Sequence, residues 1–158
     1  MDEGAAASLR LCVRRSAPIT DQPASISVVM RVPADVRCVE QAVELMARHC
    51  FAGADPCQRT SFRLRVLLAE ALTNSILFGA GGDPSRTVVV AAELGSDTIR
   101  LHVRDDGPGF DPLNIEDPTE PRARRRAVGR GLFLIRNLAD QVEFNEQGNA
   151  IWMTLPRA

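Results

Sequence analysis

The sequence predicts an α/β two-layer sandwich, in which a mixed and mostly antiparallel sheet carries helices on one face. Segments with helical apolar spacing alternate with short β-rich segments, and two of these β-rich segments are separated by a short turn, as in a hairpin. At 158 residues the chain is long enough for one domain with a sizeable core. We expect residues 25–158 to form this domain. Residues 1–24, rich in Ala, Ser, Arg and Pro, are expected to form a largely mobile arm.

The first half of the chain predicts a strand and two helices. The alternating apolar residues within 9–13 could add an edge strand, but the arm that contains them is expected to be largely mobile, and residues 26–32 predict a strand that ends at Pro33. Residues 34–50 have apolar side chains at three- and four-residue spacing, which predicts an amphipathic helix. Residues 62–78 predict a second and more apolar helix.

In the second half, a glycine-rich stretch at 79–82 is expected to cap that helix and form a connector. The elements predicted after it are strands at 87–94 and 98–105, a helix at 128–139, and closing strands at 142–144 and 150–155. Residues 106–128 lack a hydrophobic period and contain four prolines. A connection of this length in a compact domain is usually functional or mobile.

The composition limits the function classes. A net charge of −1 argues against general affinity for nucleic acid or anionic membranes, and no apolar run approaches the length of a membrane span. The acidic N-terminus lacks the apolar stretch of a secretory signal, and none of the four cysteines forms a CxxC pair. These features predict a cytoplasmic protein with reduced thiols.

Glu70 and Asn74 are four residues apart, so both project from the same face of a largely apolar helix. An amide oxygen is a suitable ligand for Mg²⁺ held between phosphates, and a carboxylate one turn away can orient or deprotonate a hydroxyl or water. The alternative is a solvated polar strip on an amphipathic helix.

A second candidate segment covers residues 105–110. Asp105 follows a predicted strand, and Gly107 and Gly109 allow the backbone to turn sharply and approach a ligand. The carboxylate could accept a hydrogen bond from an exocyclic amine such as adenine N6, and Phe110 completes the candidate nucleotide contacts. The alternative is an ordinary Asp-Gly turn.

A third segment, Gly129, Arg130, Gly131 and Leu132, opens a predicted helix. The N–H groups and dipole of a helix start favour anions, so phosphates could bind there. Arginines lie immediately upstream, with Arg126 the nearest of a group that also contains Arg122, Arg124 and Arg125. The alternative is a solvated basic loop, and neither a P-loop nor a Rossmann glycine pattern is present.

Taken as a set, these motifs resemble the Bergerat ATP-binding fold, and within it the bacterial anti-sigma-factor serine kinases. The similarity extends over about residues 25–156. The N box corresponds to residues 70–74, the G1 box to residues 105–109 and the G2 box to residues 129–132.

This resemblance implies a role for each motif residue. Glu70 would be the general base, Asn74 the Mg²⁺ ligand and Asp105 the adenine anchor. Gly107 and Gly109 would lie beside the base, residues 129–132 would meet the phosphates, and residues 111–128 would form the ATP lid.

The implied activity is transfer of the γ-phosphoryl group of ATP to a serine or threonine of a STAS-type anti-anti-sigma protein. The implied partners are that protein and a sigma factor. A homodimer is expected by analogy, with contact through residues 9–13 or the first helix.

Two positions depart from the family pattern. Phe78 stands where a histidine is common, and Asn149-Ala150 stand where the last hairpin often has a threonine. These departures keep open a second hypothesis, a non-catalytic binding module for a sigma or STAS partner that uses nucleotide as a structural ligand. A third hypothesis is a detached histidine-kinase ATPase domain, but the chain has no upstream helical hairpin bearing a phospho-accepting histidine.

Overall fold

The computed structural model of the chain describes residues 8–16, 25–109 and 127–157. Within these residues the chain forms six strands and three α-helices. The strands are β1 (Arg10–Ser16), β2 (Ser25–Pro33), β3 (Thr87–Leu94), β4 (Thr98–Arg104), β5 (Gln141–Phe144) and β6 (Ala150–Pro156). The helices are α1 (Val39–Cys50), α2 (Gln58–Asn74) and α3 (Ala127–Leu138). A 3₁₀ turn, Val36–Cys38, precedes α1, and a π-helical segment, Ser75–Gly79, continues α2.

The strands form one sheet in the order β1-β2-β3-β4-β6-β5, and each pairing between the described strands is antiparallel. The crossover from β2 to β3 passes through two helices, so the chain returns in the opposite direction. The expected α/β two-layer fold is confirmed, with antiparallel pairing throughout this sheet.

The core lies between the helices and one face of the sheet. Along β3 the residues Val88, Val90, Ala92 and Leu94 are buried and their neighbours are not, the alternation of a strand with one covered face. Helix α2 contacts both α1 and α3, and its leucines are almost fully buried. Each such side chain stabilises the fold by about 1.5–3 kcal/mol through apolar burial.

The other face of the sheet carries an aromatic pair. The His102 and Trp152 rings stack with their centroids 4.4 Å apart and their planes at 16°, and Arg100 lies over the indole. Burial lowers the pKa of His102, and Arg104 and Arg100 lower it further. A stacked imidazole with a lowered pKa is consistent with a structural role for this histidine.

Two helix starts differ from the sequence prediction. Helix α1 begins at Val39 because residues 36–38 form a 3₁₀ turn, which Asp35 caps by accepting a hydrogen bond from the Arg37 N–H. Helix α2 begins at Gln58 because Cys57 caps it, with the Thr60 N–H donating to Sγ. Hydrophobic spacing does not detect the first turn of α2, because the residues of that turn are polar.

The remaining sequence expectations can be placed on this fold. Within the arm that the sequence analysis expects to be largely mobile, residues 10–16 form the edge strand β1, which pairs with β2. Residues 1–7 and 17–24 lie outside the described residues. All four cysteines are free; Cys38 and Cys50 are buried, while Cys12 and Cys57 are exposed. None of the helices in the described part of the chain has the length and apolar character needed to cross a bilayer.

Candidate nucleotide site

A cavity of about 130 Å³ lies where the end of α2, the start of α3 and the ends of β4 and β6 meet. Four polar side chains line it: Asn74, Ser75, Asp105 and Asn149. The remaining wall is largely apolar and includes Phe78, Val103, Leu132, Ile135, Phe144 and Ile151. Such a cavity, apolar with a few converging polar groups, is typical of a small-molecule site.

Asp105 is the buried carboxylate of this cavity, with 7% of its surface exposed. The Gly107 N–H donates to Asp105 Oδ1 at 2.8 Å, and Ser75 lines the same cavity. Burial raises the pKa of Asp105, and the Gly107 hydrogen bond and the nearby Ser75 oppose that rise. The carboxylate is therefore held in one orientation, at a cost in desolvation that a ligand donor could offset.

Glycines make this orientation possible because backbone packs directly against the carboxylate. A Cβ on Gly79 would lie 2.2 Å from Asp105 Cγ, and a Cβ on Gly107 would lie 2.2 Å from the Gly79 carbonyl oxygen. Gly109 has a φ of +73°, and a Cβ there would meet the Gln147 carbonyl oxygen at 1.7 Å. Three segments, namely the end of α2, the turn after β4 and the β5–β6 hairpin, thus interlock through positions without side chains.

The β5–β6 hairpin also fixes the turn after β4 by hydrogen bonds. The Asn149 side-chain amide donates to the Gly107 carbonyl at 3.2 Å, and the Asp105 N–H donates to the Asn149 carbonyl at 3.0 Å. Asn145 in turn holds Asn149, donating to its side-chain oxygen at 2.6 Å and accepting from its backbone N–H at 3.0 Å. The asparagine that departs from the family pattern is therefore a support for the turn.

Next to the part of the cavity wall that Asn74 forms, Glu70 and Asn74 meet the start of α3. A Cβ on Gly131 would lie 2.7 Å from Glu70 Oε2 and 3.2 Å from Asn74 Nδ2. Both polar residues are half-buried and Gly131 is buried. The carboxylate and amide that the sequence places on one helix face do converge, and they converge on the predicted phosphate-binding segment.

The π-helical segment at the end of α2 brings two residues to Asp105. The Ala80 N–H donates to the Ser75 carbonyl at 2.8 Å, the five-residue spacing of a π turn. This wider turn leaves both Ser75 and Gly79 in contact with the carboxylate. π turns within helices occur frequently at functional sites.

Some of the other predicted site residues belong to the described part of the chain and others do not. Leu132 is buried and lines the cavity, Arg130 is exposed, and Gly129 lies within α3. Phe110, Arg126 and the other three lid arginines lie outside the described residues, as does the expected lid up to residue 126. Residues 127 and 128 belong to α3.

Within residues 8–16, 25–109 and 127–157, no group of three His, Cys, Asp or Glu side chains could hold a metal ion. The donor chemistry that fits this site is a single amide oxygen, from Asn74, combined with phosphate oxygens brought by a nucleotide. Mg²⁺ is commonly bound in this way, with few protein ligands and several from substrate or water.

Sequence reasoning did not identify Ser75 or Gly79 as site residues. Ser75 directly follows the Asn74 of the first motif, and the sequence predicts Gly79 to be part of a helix cap and connector. Neither role could be predicted from spacing, because contact with Asp105 depends on a π turn and on packing against a loop about 30 residues later in the chain.

Comparison with known proteins agrees with this geometry. A profile of the family described as "Histidine kinase-like ATPase domain" matches residues 30–155, a range that contains all the cavity residues. The chain is 30% identical over 107 residues to a protein of Oceanobacillus iheyensis named anti-sigma F factor, covering 63% of this chain and 72% of that protein.

Two further relatives match less closely or over a shorter length. A protein of Anoxybacillus flavithermus, also named anti-sigma F factor, is 28% identical over 102 residues, covering 62% of this chain and 68% of the relative. A protein of Oceanobacillus iheyensis named serine-protein kinase RsbW is 32% identical over 90 residues, covering 53% of this chain and 57% of the relative.

Proposed function

Because this chain belongs to the family of histidine kinase-like ATPase domains, we propose that it is an ATP-dependent serine/threonine protein kinase that also acts as an anti-sigma factor. Its relatives are named anti-sigma F factor and serine-protein kinase, and these names suggest the two proposed properties. The acceptor that we propose is a STAS-type anti-anti-sigma protein.

The observation that carries this proposal is the convergence of Glu70 and Asn74 on Gly131, beside a cavity that Asn74 lines together with the buried Asp105. This arrangement suits a nucleotide whose base contacts Asp105 and whose phosphates approach the first turns of α3. The N–H groups and dipole at a helix start favour such anions.

Within this arrangement the other predicted residues would make secondary contacts. Leu132 would pack against the nucleotide, and the turn containing Gly107 and Gly109 would lie beside the base. Gly129 and Arg130 would meet the phosphates. Phe110 and Arg126, which lie outside the described residues, are proposed to make further contacts with the nucleotide.

In the proposed reaction the hydroxyl oxygen of the acceptor serine or threonine attacks the γ-phosphorus of ATP. The bond from that phosphorus to the β–γ bridging oxygen breaks and ADP leaves. Glu70 accepts the proton of the attacking hydroxyl, a contribution of about 10²- to 10⁴-fold for a typical general base. Mg²⁺, bound by the Asn74 amide and the phosphate oxygens, would neutralise phosphate charge.

The test separates binding from chemistry. Glu70→Gln should leave the calorimetric affinity for Mg-ATP nearly unchanged, while label transfer from radioactive ATP to the cognate STAS protein slows by about 10²- to 10⁴-fold. Asn74→Ala should weaken Mg-ATP binding itself.

The matched control is Glu40→Gln, which alters an exposed glutamate in the first turn of α1 and should change neither measurement. If both Glu70→Gln and Asn74→Ala phosphorylate the partner at the normal rate, the assignment of these roles is wrong.

The binding-module hypothesis is the second candidate, and one observation favours it. Phe78, 53% exposed, lines the cavity at the position where the family commonly has a histidine. A chain that binds Mg-ATP with ordinary affinity but transfers no label to its STAS partner would establish this candidate in place of the kinase.

A further inference from the structure

We propose that the sheet face opposite the described helices, which we call the open face, binds an acidic segment of a partner protein. Arg10, Arg31 and Arg104 pair with the carboxylates of that segment. The nucleotide cavity lies between the helices and the other face of the sheet, so this site is separate from the phosphoryl transfer and goes beyond the proposed function.

Strand register aligns these three residues, the arginine row, across the sheet. Arg10 lies directly opposite Arg31, and Val89 lies opposite Arg31 on one side and Arg104 on the other. Residues directly opposite each other in antiparallel strands project from the same face. The residues on either side of Val89 are buried towards the helices, so Val89 and the arginine row project from the open face. All three arginines are exposed.

Carboxylates do not neutralise the arginine row. Among the residues that the structure describes, none forms an ion pair with any of its three arginines. The carboxylates on the open face of the described strands are Glu93, which lies opposite Arg100, and Glu143, which pairs with Arg100 at 2.8 Å. Like charges directly opposite each other destabilise a sheet, so Arg10 opposite Arg31 is a cost that an anionic partner would remove.

A less polar row lies beside the arginine row on the open face. Strand register aligns its members, which are Cys12, Val29, Ala91, His102 and Trp152. All of them except Cys12 are half-buried. A segment bound along the arginine row would therefore cover apolar surface while its carboxylates pair with the guanidinium groups.

The dimensions of the arginine row suit an extended polypeptide. Strands β1 to β4 are consecutive in the sheet, and neighbouring strands are about 4.8 Å apart, so Arg10 and Arg104 lie about 14 Å apart. Alternate side chains of an extended segment point the same way at intervals of about 7 Å, so three alternating carboxylates cover the same length. The planar guanidinium group of arginine matches a carboxylate through two parallel hydrogen bonds.

Single-stranded nucleic acid fits the open face less well. Proteins bind it by stacking its bases on aromatic side chains. Trp152 is already stacked on His102, with the ring centroids 4.4 Å apart, and has Arg100 over its ring. These contacts favour an acidic polypeptide, and an oligonucleotide serves as the competing ligand in the test.

The test uses a fluorescein-labelled heptapeptide in which three glutamates alternate with serines. Its affinity for the full chain is measured by fluorescence anisotropy at low salt and without nucleotide. Arg31→Gln should weaken binding by about two- to fivefold, the effect of one exposed ion pair, and the addition of Arg10→Gln should weaken it further. Added salt should weaken it as well. A peptide of the same composition with its three glutamates adjacent should bind the wild type less tightly.

The matched control is Arg48→Gln, which alters an exposed arginine in the last turn of α1, on the helical side of the sheet. It should leave the affinity for the peptide unchanged. An equal loss in this control would reduce the binding to general attraction between charges and overturn the inference, as would a wild type that does not bind the peptide.

Two other occupants of the open face would give different results. A six-nucleotide oligothymidylate that binds more tightly than the peptide, and loses affinity in Arg31→Gln, would assign the face to nucleic acid and overturn the inference. A change in the sedimentation of Arg31→Gln, without binding of the peptide to the wild type, would assign the face to a second copy of the chain, with the same consequence.

Urea unfolding shows whether a loss of affinity reflects a damaged fold. Arg31→Gln removes one of two facing charges, so it should be at least as stable as the wild type. If this variant does not fold, Arg10→Gln replaces it with the same expected loss of affinity. Wild-type affinity for the peptide in the folded variant would contradict the inference. The proposed function is tested separately, because Mg-ATP binding concerns the other face of the sheet.

Discussion

At the scale of single residues, Asp105 carries a desolvation cost in the absence of a ligand. It is a carboxylate in a largely apolar cavity, and the Gly107 N–H that donates to it does not remove the effect of burial, because its pKa remains raised. A charge kept in such a place destabilises the fold unless a ligand supplies a donor.

This cost predicts a dependence of stability on pH. The folded-state pKa of Asp105 lies above the unfolded value, so its contribution to stability is complete below the unfolded-state pKa and is lost as the pH rises through the folded-state pKa. Asp105→Asn removes the charge with little change in shape. We expect this variant to gain stability over wild type without ligand, and to gain more at about pH 8 than at about pH 4.

Urea unfolding at the two pH values measures this difference, and calorimetry should show that the same variant loses affinity for ATP. Asp97→Asn, at an exposed position in the β3–β4 turn, is the control and should show neither effect. A stability difference that does not grow with pH would contradict the prediction.

At the scale of elements, the end of α2 is the junction on which the cavity depends. A regular α-helical ending would give a different radial position to the residues that follow Asn74, whereas the π segment brings its first residue, Ser75, and its last, Gly79, to the same carboxylate. The turn after β4 packs on Gly79, so that the end of the helix and the turn are in direct backbone contact at Gly79 and Gly107.

Gly79→Ala tests this junction. The new methyl group would lie 2.2 Å from Asp105 Cγ, so the carboxylate or the π segment must move. We expect a loss of stability of about 1–3 kcal/mol, typical of overpacking, together with a large loss of Mg-ATP affinity in calorimetry. Gly95→Ala is the matched control, because a Cβ there meets its nearest atom at 3.4 Å and should change little. An alanine at position 79 with wild-type affinity would show that Asp105 is not part of the site.

The end of α2 also shows which features of the fold and the site could be predicted from the sequence and which could not. The strand Thr87–Leu94 matches its predicted bounds, because the alternation of apolar residues that predicts it follows from one face of the sheet being covered. Glu70 and Asn74 could be paired from helical spacing alone. The contact of Gly79 with Asp105 and the support from Asn149 could not, since both depend on how elements distant in sequence pack together.

At the scale of the whole molecule, the sheet has two edges of different character. The β5 edge is four residues long, whereas β1 is a seven-residue edge strand with Leu11 and Val13 exposed at 37% and 42%. A long edge with exposed apolar side chains is prone to pair with another chain. We propose that β1 forms the contact of a homodimer.

Leu11→Lys combined with Val13→Lys should then convert a dimer to a monomer in sedimentation experiments, while the folded domain persists because both side chains are already partly exposed. Val36→Lys is the control, since this residue is 47% exposed at the start of the helical layer and should leave the dimer intact. A wild-type chain that sediments as a monomer at all concentrations would rule out this contact.

The stacked Trp152 offers a way to watch the fold while the chemistry is being altered. It is the sole tryptophan of the chain, and it lies on the sheet face opposite the described helices, stacked on His102. Its emission should therefore follow the melting of the central strands in all the variants discussed above. Loss of nucleotide affinity without a change in that signal would separate a damaged pocket from a damaged scaffold.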